Sequence, residues 1–383
     1  MERPYYLQKI SELANNFPVV CLLGARQVGK TTLAQQFAQK ARDQFAEVHF
    51  FDLENAEDLA VLENPNLVLS QLSGLIVIDE IQRRPDLFVT LRVLIDHPKK
   101  KQQWLLLGSA STVLLQQSSE TLAGRIAYLE ISPFDYSEIG EWHELWLRGG
   151  FPGSYLKNSI AASFEWRKQY VKTFLEQDIP NLGIKIAPLQ LRRFWMMLAH
   201  YHGNVFNANE LSRSLGINSK TIRHYLDILT NTFMIRQLQP WWENMSKRQV
   251  KSPKIYFRDS GLLHYLLDIE QMNILQRSPK IGASWEGFAM EEIIRYRHAD
   301  AEQCYFWATH QDAELDLLLF QQGKRIGYEF KYMDAPRLTK SMHIACTDLK
   351  LDELLVIYPG TRSYLLDEKI KVVSLTNYLA LQS

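Results

Sequence analysis

The sequence CLLGARQVGKTTLAQQFAQ, residues 21–39, places a glycine-rich turn between an apolar run and a helical pattern. The apolar run at 19–23 is typical of a short buried strand, and the residues from Thr32 onward have helical spacing. Residues 24–31 fit the pattern GxxxxGK[ST] of a phosphate-binding P-loop. Because the pattern lies between a strand and a helix, a chance glycine turn is the weaker interpretation.

This loop predicts a binding site for the phosphates of ATP. Successive backbone N–H groups can curl around an anion there, and the following helix adds the positive end of its dipole. Lys30 is expected to reach the β- and γ-phosphates, and the Thr31 hydroxyl is expected to ligate Mg²⁺. The predicted nucleotide-binding residues are Gly24, Ala25, Arg26, Gln27, Val28, Gly29, Lys30, Thr31 and Thr32.

A second apolar run, LIVIDEIQ at 75–82, contains two adjacent acidic residues. Residues 75–78 are predicted to form a buried parallel strand, and an open α/β sheet binds its ligands at the carboxyl ends of such strands. Asp79 is therefore expected to hold Mg²⁺ and its water shell, and Glu80 to act as the general base that polarises the attacking water. The alternative interpretation is that both are solvated charges after a strand. The P-loop upstream favours the functional interpretation.

Two more polar positions complete the predicted catalytic set with Lys30 and Glu80. The strand QWLLLGSAS ends at Ser109 and Ser111, with Thr112 next. Ser109 is expected to sense the γ-phosphate and orient water, with a helix N-cap as the ordinary alternative. Arg125, in ETLAGR, is either an arginine finger across a subunit interface or a structural ion pair or sugar-edge contact.

Composition predicts a cytoplasmic, multidomain protein with no membrane segment. The chain has 383 residues, 46% of them hydrophobic, and its apolar runs are shorter than a bilayer requires. The N-terminus MERPYYLQKI has no signal pattern, and the three scattered cysteines show no metal or disulfide spacing. A net charge of zero argues against a surface that coats nucleic acid, but it leaves room for a local basic patch.

The motifs in combination resemble those of a bacterial and archaeal AAA-type ATPase family whose members carry a C-terminal DUF4143 domain. The segments are GARQVGKTTL, IVIDEIQRRPDL, LLLGSAS, ETLAGR, EISPFDYSEI and LRGGFPGSYL. The resemblance implies a nucleotide-binding fold with an additional strand and a catalytic glutamate, with Lys30, Thr31, Asp79 and Glu80 carrying the ATP and Mg²⁺ chemistry. Gly153, followed by Ser154, stands here where the family pattern RGGFPE has its acidic residue.

The middle of the chain predicts helices followed by a winged helix. Residues 161–200 have a helical pattern and are predicted to form a lid or linker, with Gln177 where many family members carry arginine and Arg148 as a weak candidate for a nucleotide sensor. A helix capped by Asn207 or Asn209, a turn at Gly216 and a second helix over 219–232 have helix-turn-helix spacing.

The helix-turn-helix segment has an apolar face and a basic face. The residues expected to pack the unit are Leu211, Leu215, Ile222, Leu226 and Leu229. Those expected to face outward are Lys220, Arg223 and His224. The segments IRQLQPW and KIYFRD are predicted to pair as a wing. Winged helices bind DNA or serve as protein–protein modules, so DNA and a protein partner both remain open.

The last part of the chain predicts a nuclease-like site. AELDLLLF and KRIGYEFKY read as a hairpin that turns at Gln322-Gly323. Asp316, Glu329 and Lys331 then fit the D…ExK pattern of restriction-endonuclease-like folds, in which two carboxylates bind Mg²⁺ and the lysine steadies a hydroxide or phosphate. Glu286 or Glu291, on the preceding helix, is expected to complete the acidic set. Alternating polar residues on a half-exposed sheet give the same pattern without any metal.

The predicted fold class is α/β: a P-loop NTPase domain with a parallel sheet, then a helical and winged-helix region, then a restriction-endonuclease-like α/β domain. The expected segments are 1–145, 146–200, 201–260 and 261–383. The leading hypothesis is a Mg²⁺-dependent ATPase that moves the winged-helix and nuclease-like module. The alternatives are a nucleotide-gated DNA-binding or scaffold protein with slow hydrolysis, and an ATP-controlled metal-dependent nuclease.

Overall fold

The computed structural model describes residues 1–43, 45–97, 101–110, 121–243, 250–309 and 313–380. The chain divides into two compact units, one of 1–132 with 231–233 and one of 133–230 with 234–383. The second unit therefore takes in the helical, helix-turn-helix and nuclease-like segments together. The finer division into four segments stays a prediction.

The first unit alternates strands and helices along the chain. Its elements are α1 (Pro4–Asn16), β1 (Val19–Leu23), α2 (Lys30–Lys40), β2 (Val48–Asp52), α3 (Ala56–Val61), α4 (Pro65–Leu69), β3 (Gly74–Asp79), α5 (Leu87–Asp96), β4 (Gln102–Gly108) and β5 (Ile126–Glu130). The strands β1, β3 and β4 are almost continuous apolar runs, which is the pattern of parallel strands covered on both faces.

These strands form a five-stranded parallel sheet in the order β2-β3-β4-β1-β5. Strand β4 lies between β1, which leads into the P-loop, and β3, which ends at the acidic pair. The additional strand implied by the family resemblance is thus present. Helix α5 covers the sheet through an apolar face in which Leu87, Phe88 and Leu91 are fully buried. This order brings the ends of β1, β3 and β4 to one edge of the sheet.

The second unit is longer and mixed. Its helices are α6 (Tyr136–Ile139), α7 (Trp142–Arg148), α8 (Pro152–Tyr155), α9 (Ile160–Thr173), α10 (Ile179–Asn181), α11 (Pro188–Tyr201), α12 (Ala208–Leu215), α13 (Ser219–Asn231), α14 (Ser260–Leu266), α15 (Met272–Arg277), α16 (Ile281–Tyr296), α17 (Lys340–Asp348) and α18 (Leu375–Leu379). Its strands are β6 (Ile235–Pro240), β7 (Lys254–Phe257), β8 (Cys304–Ala308), β9 (Glu314–Gln321), β10 (Lys324–Phe330), β11 (Glu353–Tyr358), β12 (Tyr364–Asp367) and β13 (Ile370–Ser374).

The strands of the second unit form an eight-stranded sheet in the order β12-β13-β11-β10-β9-β8-β6-β7. The predicted hairpin is present: β9 and β10 pair antiparallel, with Gln321 opposite Lys324. Gln322 and Gly323 turn the chain with φ of 52° and 76°, the positive values that a two-residue hairpin turn requires. On one side of the sheet, α16 packs an apolar core that contains Trp146, Trp285 and Tyr328. A mixed C-terminal sheet is therefore confirmed.

The helix-turn-helix segment has the predicted helices. The Asn207 side chain caps α12 by accepting from the backbone N–H groups of Asn209 and Glu210, and α12 ends at the left-handed Gly216. Strands β6 and β7 pair antiparallel, as predicted for a wing. However, β6 also pairs with β8 and so belongs to the large sheet. The assignment as a winged helix therefore stays a prediction.

The segment LRGGFPGSYL packs the interior of the second unit. The carboxylate of Asp259 accepts from the backbone N–H of Gly150 at 2.8 Å and from that of Leu262 at 2.8 Å. The Ser154 hydroxyl, nearly fully buried, donates to the Arg148 carbonyl at 2.8 Å. These buried contacts give the motif a structural role that does not depend on an acid at position 153. Across the residues that the structure describes, no helix is long and apolar enough to span a membrane.

Candidate nucleotide-binding site

The P-loop begins where β1 ends and closes at the first turn of α2. A Cβ on Gly24 would lie 2.4 Å from the backbone oxygen of Ile131, so any side chain at this position collides with the chain beyond β5. Gly29 is the residue before α2, and Lys30 is the first residue of the helix. The loop therefore has the strand-loop-helix geometry that directs backbone N–H groups at an anion.

Lys30 lies inside the loop. Its side chain is almost completely buried, and Nζ donates to the carbonyl oxygens of Gly24 at 2.8 Å and Ala25 at 2.9 Å. Burial lowers the pKa of Lys30, whereas the carboxylates of Glu80 and Asp79 oppose that shift. A buried ammonium at the first turn of a helix is suited to a strongly anionic ligand.

Thr31 and Asp79 meet across the loop and the end of β3. The Thr31 hydroxyl donates to Oδ2 of Asp79 at 2.6 Å, and the backbone N–H of Glu80 donates to Oδ1 at 2.9 Å. Burial raises the pKa of Asp79, and the hydrogen bond from Thr31 opposes that change. A hydroxyl and a carboxylate oxygen in contact are the hard oxygen ligands that Mg²⁺ prefers. These two residues fit the predicted metal role.

Glu80 follows β3 in a left-handed conformation, with φ of 52°. Its Oε2 accepts from the Ser109 hydroxyl at 3.1 Å and also from Nε2 of Gln82. Gln82 in turn donates to the Ser109 hydroxyl oxygen at 2.9 Å. The predicted base and the predicted sensor are therefore neighbours at the ends of β3 and β4. Sequence reasoning did not identify Gln82, although its place two residues after Glu80 is a usable signal.

Two predicted arginines of this unit pair with other residues of the protein. Arg26 forms an ion pair with Glu54 at 3.1 Å. Arg125 donates through Nε to Asp96 at 2.6 Å and through a terminal nitrogen to the Ala123 carbonyl at 3.1 Å. This matches the structural ion pair that the sequence left open for Arg125, and the finger role stays a prediction. Ser111 and Thr112 lie outside the described residues.

The nuclease-like residues of the second unit lie together. Nζ of Lys331 is 2.7 Å from Glu329 and 3.8 Å from Asp316. Glu286 joins them through Lys254, whose Nζ is 3.5 Å from Glu286 and 3.7 Å from Asp316. Burial, followed by the charge of Asp316, raises the pKa of Glu286 to about 7 and that of Glu329 to about 8.

The other proposed member of this acidic set, Glu291, lies elsewhere. Its carboxylate pairs with Arg236 and lies 3.8 Å from both Arg258 and Arg295. These arginines hold the pKa of Glu291 down at about 2, against the effect of burial. Of the two glutamates that the sequence offered for the nuclease-like set, the structure therefore favours Glu286, because three arginines already surround the carboxylate of Glu291. Helical spacing alone could not distinguish it from Glu286.

Similarity to known proteins agrees with this geometry. Residues 16–140 match the AAA domain, residues 139–273 match a domain of unknown function, DUF8612, and residues 281–378 match another domain of unknown function, DUF4143. The chain is 44% identical over 375 residues to the uncharacterized proteins Rv2008c of Mycobacterium tuberculosis and Mb2031c of Mycobacterium bovis, covering 97% of this chain and 83% of each relative.

Among solved structures, the Walker-type ATPase paby2304 of Pyrococcus abyssi matches 70% of this chain and 95% of its own, at 18% identity and a TM-score of 0.49. The loop, the acidic pair and the strand order define a P-loop NTPase of the AAA type. The chain belongs to the family of the two mycobacterial proteins, an AAA-type P-loop ATPase family with a C-terminal DUF4143 domain.

Proposed function

We propose that this protein binds ATP with Mg²⁺ at the P-loop and hydrolyses it. The observation that supports this most strongly is the contact between Thr31 and Asp79 beside the pair formed by Glu80 and Ser109. Metal-binding oxygens and a hydrogen-bonded carboxylate are adjacent at the end of one parallel strand, where α/β sheets bind ligands. The buried thiols of Cys21 and Cys304 fit a reducing compartment and support a cytoplasmic location.

The roles of the residues follow from their chemistry. The loop N–H groups and Lys30 bind the phosphates, and Thr31 with Asp79 holds Mg²⁺, which neutralises charge on the phosphate oxygens when it is bound. Glu80 accepts a proton from the attacking water. Ser109 and Gln82 fix the direction of the Glu80 carboxylate through their hydrogen bonds to it. A carboxylate held in one orientation loses less entropy when it aligns a water for in-line attack.

Steady ATP turnover is the direct test. Purified protein is expected to release phosphate from ATP in the presence of Mg²⁺, and to stop when EDTA removes the metal, because the phosphate charges are then left without compensation. The same assay with duplex, forked and single-stranded DNA reports whether a polynucleotide changes the rate. Turnover at background under all these conditions, with ATP still bound, would instead support a nucleotide-gated scaffold.

A second function, contact with DNA, is supported by the surface of α13. Lys220, Arg223 and His224 are exposed on this helix, and within the described part of the chain none of them forms an ion pair. They occupy the second helix of the helix-turn-helix, the one that enters a groove in DNA-binding proteins. Phosphate contacts from such cations give sequence-independent, salt-sensitive affinity.

Replacing Lys220 and Arg223 by Ala is expected to weaken duplex binding and to flatten its salt dependence. Each lost phosphate contact lowers the slope of log affinity against log salt by about 0.9, so the double variant loses about 2. Fluorescence anisotropy across a salt series measures both quantities. The matched control is the double replacement of Lys168 and Lys172 by Ala, which removes two exposed cations from α9. Equal slopes for both double variants would favour a protein partner for α13.

A further inference from the structure

The D…ExK pattern implies a divalent metal between Asp316 and Glu329. Whether a metal can bind there depends on which donors already contact the oxygens of these two carboxylates. Oδ2 of Asp316 accepts from the backbone N–H of Phe330 at 3.0 Å and is 3.8 Å from Nζ of Lys331. Oε2 of Glu329 is 2.7 Å from the same Nζ. Both carboxylates are buried. One oxygen of each carboxylate therefore already has a donor from the protein itself.

A second lysine reaches this cluster from a different part of the chain. Lys254 is the first residue of β7 and is buried, with 4% of its surface exposed. Its Nζ is 3.7 Å from Oδ1 of Asp316 and 3.5 Å from Oε1 of Glu286, and it also contacts the carboxylate of Glu314. Tyr256, two residues along β7, donates its hydroxyl to Glu286. The carboxylates therefore share a tethered ammonium.

Tethered ammonium groups and a divalent metal compete for the same place. Buried carboxylates need a nearby positive charge, because an isolated buried charge is costly. A metal supplies that charge only if several oxygens can approach it to about 2.0–2.6 Å with free lone pairs. An ammonium a few ångströms away repels a divalent cation and keeps its own hydrogen bonds. Because Lys254 is part of the chain, it is also always present at high effective concentration.

We infer that Lys254 takes the place of a divalent metal in this cluster, which is therefore an ion-paired core and not a metal-dependent nuclease site. In agreement, no group of three or more His, Cys, Asp and Glu residues in the described ranges is arranged to hold a metal ion. The metal does not fit the residues that the resemblance assigned to it. Lys254 lies outside the D…ExK pattern, so the sequence motif alone gives no sign of this substitution.

Mn²⁺ binding, measured by the electron paramagnetic resonance of the free ion, tests the inference on the full chain. The proposed P-loop site also takes a divalent ion. The quantity to compare is therefore the difference in bound Mn²⁺ between the parent protein and Asp316→Asn. The parent protein at millimolar Mn²⁺ is expected to bind the same amount with and without Asp316→Asn, and to leave plasmid DNA unnicked. An ion in the parent that Asp316→Asn abolishes would overturn the inference.

The variant Lys254→Met tests the inference in the opposite direction, by a gain of Mn²⁺ binding. This change keeps the length and volume of the side chain but removes the ammonium, so the carboxylates of Glu286, Glu314 and Asp316 are expected to bind one additional Mn²⁺ that Asp316→Asn eliminates. Lys251→Met, at an exposed position just before β7, is the matched control and is expected to bind as the parent does. A folded Lys254→Met protein with no additional ion contradicts the inference. If Lys254→Met does not fold, Mn²⁺ binding by the parent protein with and without Asp316→Asn still tests the inference.

Discussion

Replacing Glu80 by Gln is expected to lower kcat for ATP hydrolysis by about 10²–10⁴-fold, the usual contribution of a general base, while ATP affinity stays close to that of the parent. The amide keeps the size of the side chain and can still accept a hydrogen bond from Ser109 or Gln82. It cannot accept a proton from water. Phosphate release under saturating ATP measures kcat, and fluorescent-nucleotide titration measures affinity.

Glu57→Gln is the matched control for this experiment, because it makes the same chemical change at an exposed position in the first turn of α3. It is expected to hydrolyse ATP at the parent rate. If Glu80→Gln keeps turnover within the range of this control, another group activates the water. If Glu80→Gln instead loses ATP binding, the carboxylate holds the nucleotide or its metal, and its role as the base is wrong.

Replacing Lys30 by Ala is expected to raise the Kd for ATP by about 10²–10⁴-fold, because two charge-assisted hydrogen bonds to phosphate, at about 1.5–3 kcal/mol each, are lost. The ammonium faces the loop carbonyls of Gly24 and Ala25 and takes no part in the apolar core of the sheet. Calorimetric titration with a non-hydrolysable ATP analogue measures the effect.

Thermal unfolding of Lys30→Ala and of the two further variants below shows whether weaker ATP binding comes from the lost ammonium or from a loss of stability. Lys30→Met keeps the length of the side chain and removes only the charge, and it is expected to bind as weakly as Lys30→Ala. Lys40→Ala, at the exposed end of the same helix, is expected to bind as the parent does. Parent-like affinity in Lys30→Ala would show that the loop is not the nucleotide site.

Sequence reasoning worked where structure depends on neighbours along the chain. The P-loop, the acidic pair at the end of β3 and the turn at Gln322-Gly323 are local patterns, and each lies where it was predicted. The apolar strands of the parallel sheet are recognisable because both of their faces are covered. The family resemblance implied the additional strand, but the order of all five strands was not predicted, because pairing between distant segments leaves little trace in local periodicity.

The incomplete predictions concern contacts between distant segments. Glu286 and Glu291 lie on one helix and look equivalent in sequence, yet three arginines from different elements surround Glu291. Lys254 meets Asp316 across many residues of intervening chain. Long side chains can reach several partners, and only the folded positions decide which partner is closest. Charged residues in a mixed sheet are therefore harder to assign than residues of a P-loop.

The left-handed backbone at Glu80 sets a limit on how stable this protein can become. At φ of 52° a residue with a full side chain carries strain of about 1–3 kcal/mol, and Asn or Gly adopts this conformation more readily. A chain selected for stability alone would replace Glu80 with one of them and relax the turn. Keeping a glutamate there trades thermodynamic robustness for a carboxylate aimed at Ser109, so stabilising designs of this protein should leave that position unchanged.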